Sequence, residues 1–371
     1  MTQQATTERV GTAGTSTWLR PDRVKELTLL GLIVVAVLVF SLLVDDYLSG
    51  QSFVRITTTV AIVAILAVAQ GLVIISRNID LSVGSIVGVA AYLTGDFLGA
   101  YQGAGPVVAV AVAMVVGAIL GSVNGALVAY GGVPAIIVTL GTLAGFRTLL
   151  SLYSGGVNIT AASLPDWVLE FYNLTVFNIG ELEVRLVFVI AVAVVLVLQW
   201  MLGRVRWGRR LYAIGSNPEA AHQAGLPATR LVFWSFVGCG ALAGLAGFLY
   251  MARVGTISAT AGAGLELESV AAAVVGGVSI LGGAGTMVGA LLGAILLDTL
   301  RLGLLRVPGV SEFWRDAFLG VLILAAVILD AALHRRFARR WSAEARRAAE
   351  DTGTPVVAGM HTLAGGGDVD G

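Results

Sequence analysis

Stretches of roughly twenty residues almost free of charge recur along this chain, and no other feature limits its fold as much. A helix rises about 1.5 Å per residue, so about twenty apolar residues cross the ~30 Å hydrocarbon core of a bilayer. The clear runs are Leu27–Val44, Val54–Ser76, Val107–Tyr130, Leu186–Leu202, Leu231–Ala252, Thr286–Leu305 and Trp314–Leu333. Weaker runs lie at Ser82–Ala100, Val133–Tyr153 and Glu268–Leu281. The last is too short for a straight crossing and suits a re-entrant or half-length helix. The pattern predicts an all-α, polytopic membrane helix bundle of about ten spans. Composition agrees: 12% of residues are charged, against roughly a quarter in soluble proteins, and mean hydropathy is +0.89. Lipid must be the solvent over most of the length. The 48 glycines suit helices that approach one another closely.

With 23 basic and 23 acidic residues the formal charge is zero, so no basic field points to nucleic acid, and the placement of the charges carries the information. Arg20, Arg23 and Lys25 precede the first run; Arg204, Arg206, Arg209, Arg210 and Arg230 follow the sixth; Arg335, Arg336, Arg339, Arg340, Arg346 and Arg347 follow the last. By the positive-inside rule all three segments face the cytoplasm, which requires an even number of crossings between each pair. The loop Ser154–Val184 holds Asp166, Glu170, Glu181 and Glu183 and no basic residue, as an outer loop should. The chain is thus expected to comprise a cytoplasmic N-terminal segment (1–26), a transmembrane domain (27–333) and a cytoplasmic tail (334–371) that ends in a frayed, glycine-rich stretch. The first apolar run is long and ends at Asp45-Asp46, which reads as a retained span rather than a cleaved leader. Loops of about 30 residues leave no room for a nucleotide-binding domain.

Three segments stand out from the apolar background. Ser76 to Ser85 sets a cation, an amide, a carboxylate and hydroxyls at a break between two runs. This is either a polar lining of a path or an ordinary turn with Asp80 capping the next helix. Gly203–Arg230 is a cytoplasmic loop in which Asn217 can cap a short helix, with Pro218 at its first position, Glu219 in its first turn and Gly225 at its end. Helices this short are rarely stable alone, so a partner should dock there; a plain surface loop is the alternative. Gly276-Gly277 and Gly282-Gly283-Ala284-Gly285 lack the Lys-Ser or Lys-Thr of a phosphate loop, and suit a tight turn with positive φ and close helix packing.

Gln70, Asn124, Thr139, Thr142, Arg147 and Asp298 interrupt apolar runs, and interhelical hydrogen bonding is the default for such residues. Cys239 lies among small apolar residues as a packed thiol, and His222, His334 and His361 are scattered. Neither a nucleophile–base pair, nor metal-ligand spacing, nor a cofactor motif is visible. Asn158-Ile159-Thr160 and Asn173-Leu174-Thr175 match a short glycosylation pattern that is frequent by chance.

Asn78-Ile79-Asp80-Leu81-Ser82-Val83-Gly84-Ser85, Val123-Asn124-Gly125 with Val133-Pro134-Ala135 through Thr139-Leu140-Gly141-Thr142, Tyr212 through Ala221, and Ala271 through Ser279 with Leu281 to Gly285 together resemble the membrane subunits of bacterial ABC importers for ribose, other simple sugars and autoinducer-2. The four stretches fall in the family's order, between about Leu27 and Asp330. Ser76-Arg77-Asn78 departs from the glycine pair usual in ribose-type members, and with Leu305-Arg306-Val307-Pro308 and Trp314 it looks closer to the autoinducer-2 and rhamnose-type branch.

The resemblance implies a permease in the bacterial plasma (inner) membrane with both termini cytoplasmic. It would pair with a second permease subunit, identical or homologous, with two cytoplasmic ABC ATPase subunits, and with an extracytoplasmic sugar-binding protein. The cargo would be a monosaccharide or related small polyol. Gly215, Asn217, Pro218, Glu219, Ala220, Ala221 and Gly225 match the place where the family couples to its ATPase. Candidate path residues are Asn78, Asp80, Ser82, Asn124, Thr139, Glu268 and Ser269. A stand-alone secondary transporter or channel is the rival reading, with Asp80, Glu268 and Asp298 as coupling carboxylates.

Overall fold

A computed structural model describes residues 21–307 other than 181, together with Trp314, Ala317, Gly320, Val321 and Leu324. The chain divides into units 1–323 and 324–371, and every element below belongs to the first. The expected span Trp314–Leu333 is described at those five positions alone, and segments 1–20 and 334–371 lie outside the described residues.

Eight helices among the described residues are long and apolar enough to cross a membrane. They are α1 (Pro21–Leu43), α2 (Gly50–Ile75), α3 (Val83–Ala100), α4 (Pro106–Ala129), α5 (Ala135–Ser154), α7 (Leu186–Arg204), α10 (Ala228–Val254) and α12 (Met287–Arg306). Four shorter α-helices are α6 (Trp167–Asn173), α8 (Arg206–Ser216), α9 (Pro218–Gln223) and α11 (Leu265–Val275), and two strands are β1 (Thr175–Ile179) and β2 (Leu182–Arg185).

The axis of the bundle is α2, which packs against α7, α10, α11 and α12. Its side chains from Thr57 to Ile75 are all buried. Burying three successive threonines is possible because Thr57, Thr58 and Thr59 donate back to Phe53 O (2.8 Å), Val54 O (2.6 Å) and Arg55 O (2.9 Å), so no hydroxyl proton is left unpaired. The most extensive pairing joins α4 to α10. Gly117 and Gly121 on α4, and Gly240 and Gly244 on α10, are each four residues apart and share a face. A methyl group at Gly121 would sit 3.0 Å from Gly240 Cα, and one at Gly117 2.9 Å from Gly244 Cα. The two backbones touch, as small-residue seams allow.

The ends of the bundle separate the charged loops as the sequence implies. At one end the α8–α9 hairpin meets the α2–α3 corner and the α11–α12 turn, where Gly283 N donates to Ile75 O at 2.9 Å. At the other, the acidic 154–185 connection packs down: Ile159 bridges Ile257, Trp167 Nε1 donates to Ala104 O (3.1 Å), and Tyr172 OH donates to Thr58 O (3.2 Å). The chain therefore travels the height of the bundle between Ile257 and Gly283. Helix α11, with 11 residues, covers only about 16 Å of that, and the glycine-rich turn completes it. The short helix foreseen at Glu268–Leu281 is thus half-length, beginning at Leu265.

Two expectations need correction. The bundle is mostly helical but not all-α, because the 154–184 connection contains an antiparallel hairpin, with Phe177 opposite Val184 and Ile179 opposite Leu182. Strand-forming Thr175, Val176, Phe177 and Ile179 before Gly180 (φ +63°) and the apolar–polar alternation of Leu182-Glu183-Val184-Arg185 after it favour that geometry. Second, Gly203–Arg230 is not a loop around one short helix, because α8 precedes α9. Gly208, Leu211, Ile214 and Gly215 of α8 are buried while Arg206, Arg209 and Arg210 are exposed, the three-and-four spacing of an amphipathic helix lying on the bundle.

Candidate functional site

Helix α9 forms as its residues predict. Asn217 Oδ1 accepts from Ala220 N at 3.0 Å, Pro218 occupies the first turn where no donor is needed, and Glu219 stands at the N-terminus, where a carboxylate is favoured. At the other end Gly225, at φ +69°, turns the chain so that Leu226 N reaches Ala221 O at 3.0 Å, a closure that favours glycine. Asn217, Pro218, Glu219, Ala220 and Gly225 are exposed, whereas Ala221 turns inward and is buried. The hairpin presents a small, polar-edged knob.

What holds that knob to the bundle is Arg77, at the exposed α2–α3 corner with φ +66°. Its Nε donates to Gly215 O at 2.6 Å and its Nη2 to Ser216 O at 3.0 Å. A cation so placed satisfies carbonyls that the last turn of α8 leaves without helical partners. The α11–α12 turn closes over the same point. Ser216 Oγ donates to Gly283 O (3.2 Å) and Tyr212 OH to Gly285 O (2.7 Å). A methyl at Gly215 would lie 2.6 Å from Gly283 N, besides striking Ile75 O. All three segments singled out in the sequence meet here. Sequence reading marked Gly215 but passed over Arg77 as a clasp; its only trace was a cation beside a helix break.

The polar residues of the α2–α3 corner form a second cluster, drawn from four helices. Asp80 is fully buried. Its Oδ1 accepts from Ser82 N (2.9 Å) and Ser82 Oγ (2.6 Å), and its carbonyl accepts from Gln70 Nε2. Asn124 Nδ2 of α4 donates to Ser82 Oγ at 2.7 Å, and Thr139 Oγ1 of α5 donates to Ala135 O (2.8 Å) and reaches Ile79 O (3.4 Å). Asn78 stays local, donating to Ser76 O at 2.9 Å. Asp80 does not cap α3: Ser82 holds the cap position, and Asp80 instead closes the turn ahead of it. Five of the predicted path residues are therefore gathered around one corner, four of them buried and cross-linked.

Glu268 and Ser269 lie elsewhere, on α11. Ser269 is buried and donates to Glu266 O (2.9 Å). Glu268 faces a cavity of about 740 Å³ that Thr59, Tyr250, Arg253 and Arg301 also line. Arg301 Nη1 of α12 lies 2.9 Å from Glu268 Oε1 and 3.2 Å from Oε2. Thr59 is sixteen residues from Ile75, so that wall of the cavity sits roughly 24 Å along α2 from the helix end beside the Arg77 clasp. Arg301 escaped the sequence reading because one cation in a twenty-residue apolar run gives no hint of its partner.

Residues 52–327 match the family model described as branched-chain amino acid transport system / permease component. Among curated proteins, the chain is similar to the autoinducer 2 import system permease protein LsrC of Yersinia pestis (strain Pestoides F) and of Yersinia pseudotuberculosis serotype O:1b (strain IP 31758), each 36% identical over 290 residues, covering 78% of this chain and 79% of the relative. No solved structure matches.

Proposed function

Since the chain belongs to the branched-chain amino acid transport system / permease component family, we propose that it is the membrane-spanning subunit of an ATP-driven importer for a small polyhydroxylated solute of the autoinducer-2, rhamnose or ribose class. The observation that carries this reading furthest is the α8–α9 hairpin: a capped, exposed knob clasped to the bundle by Arg77. A knob of this kind suits a groove on a cytoplasmic ATPase. In this reading the chain hydrolyses no ATP, pairs with a second permease subunit, and receives cargo from an extracytoplasmic binding protein. Relatives named as import system permeases support it. Ten crossings, both termini in the cytoplasm and a plasma-membrane location complete the picture, with the eight long helices and the α11 return among the crossings.

ATP binding between the partner subunits would shift α9. Gly215 and Ser216 would carry that shift through Arg77 to the α2–α3 corner and through Gly283 to α12, biasing the bundle between two openings. The test uses Ala220→Trp, which adds bulk on the exposed face of the knob; buried Ala221 would disturb the hairpin itself. In the reconstituted complex, partner ATP hydrolysis should persist while uptake falls at least about tenfold. Uptake by the purified chain in liposomes without ATPase partners would instead favour a stand-alone transporter.

A further inference from the structure

The strongest unexplained feature is Asp298, in the middle of α12. Its side chain is 3% exposed, and neither carboxyl oxygen has a hydrogen-bond partner among the described residues. An orphaned carboxyl inside apolar helices is expensive and marks a site by default. The group lines a narrow recess with Val63, Glu268, Leu297 and Arg301. Val63, Glu268 and Arg301 also line the large cavity, so the recess opens as a side pocket off the same chamber.

We propose that Asp298, Glu268 and Arg301 form a hydroxyl-reading site for a neutral polyol on the path through the bundle; the inference rests on the importer reading above. The recess offers about 10 Å³, close to the room one water-sized group occupies. It admits a single hydroxyl while the rest of the molecule occupies the chamber, whose volume of about 740 Å³ is ample for a small sugar. The surrounding groups match that chemistry. Asp298 and Glu268 accept hydrogen bonds, Arg301 and Arg253 donate them, and a hydroxyl does both. Chamber and recess together set Glu268 and Asp298 against Arg253 and Arg301 among the described residues, a mixture of acceptors and donors rather than a field of one sign. Tyr250 adds an aromatic wall of the kind small-molecule sites use. The Glu268–Arg301 pair stands beside the recess, and neither Asp298 oxygen is paired among the described residues.

The test is ATP-driven uptake by the full transporter in proteoliposomes, with tritiated D-ribose, L-rhamnose and autoinducer 2 as probes. Asp298→Asn should raise the half-saturating concentration of the transported probe about tenfold, as expected for losing a charge-assisted hydrogen bond, with less effect on the maximal rate. Asp298→Leu should fill the recess and abolish uptake while the chain still inserts and the partner ATPase still turns over. Glu268→Gln should raise half-saturation by a smaller factor. Unchanged half-saturation in Asp298→Asn with ATP-dependent uptake intact overturns the site and spares the importer reading. Wild-type uptake that requires a sodium or proton gradient also overturns it, and makes Asp298 an ion-coupling carboxylate. Uptake of none of the three probes with ATP strikes the importer reading itself, and the site with it.

Discussion

Asp80 and Asp298 are both carboxyl groups buried among apolar helices, yet Asp80 accepts two hydrogen bonds through Oδ1 whereas Asp298 accepts none among the described residues. The difference begins in the local sequence. Asp80 sits in a non-helical connection two residues before Ser82, whose N–H and hydroxyl both turn back to it. Asp298 is mid-helix between Leu297 and Thr299, where backbone donors are committed to the helical ladder. The cation one turn on, Arg301, is engaged by Glu268 of α11. A buried carboxyl with donors at hand knits helices together. One deprived of them beside a chamber is available to a visitor.

That contrast can be broken by stability measurements on the detergent-solubilised chain. The largest effect is expected for Asp80→Ala, which leaves the buried Ser82 N–H and hydroxyl without their shared acceptor, although the backbone of residue 80 keeps its bonds to Gln70. The loss should be about 2–3 kcal/mol, the range for unpairing buried polar groups, and would appear as a lowered thermal midpoint. Next comes Asn124→Ala, where one interhelical hydrogen bond disappears; about 1 kcal/mol is the scale for such bonds in membrane bundles. Smallest is Asp298→Leu, which removes a group unpaired among the described residues and fills a recess, so stability should stay within about 0.5 kcal/mol or rise. If Asp298→Leu lowers the midpoint as far as Asp80→Ala, both carboxyls are structural and the contrast fails. If Asp80→Ala leaves the midpoint unmoved, the corner network is not what holds α2, α3 and α4 together.

Much of the architecture could be read from the chain. The apolar runs mapped onto α1 to α5, α7, α10 and α12 because a lipid-facing helix must be apolar over its whole crossing length, whatever it packs against. The α9 helix was legible to the residue, since Asn217, Pro218, Glu219 and Gly225 act within their own turns. Helix α8 was missed although its signal was present: Leu211 and Ile214 alternate with Arg206, Arg209 and Arg210 at helical spacing. The same arginines also mark the cytoplasmic side, so one set of residues carries two signals. The β1–β2 hairpin left a weaker trace, because only Leu182-Glu183-Val184-Arg185 alternates and Val176-Phe177 breaks the period on the other strand.

The sequence by itself determined that this is a membrane bundle, which stretches form its eight long helices to within a few residues, and that its basic and acidic connections lie at opposite ends, because those properties depend on solvent and on neighbours within one turn. Only the tertiary structure decided that Arg77 grips Gly215 and Ser216, 138 and 139 residues away, that Asn124 reaches Ser82, and that Glu268 meets Arg301 beside an Asp298 that has no partner among the described residues. Those pairings depend on which helix faces cross in space. An isolated polar residue in an apolar run announces that it needs a partner without saying on which helix the partner stands.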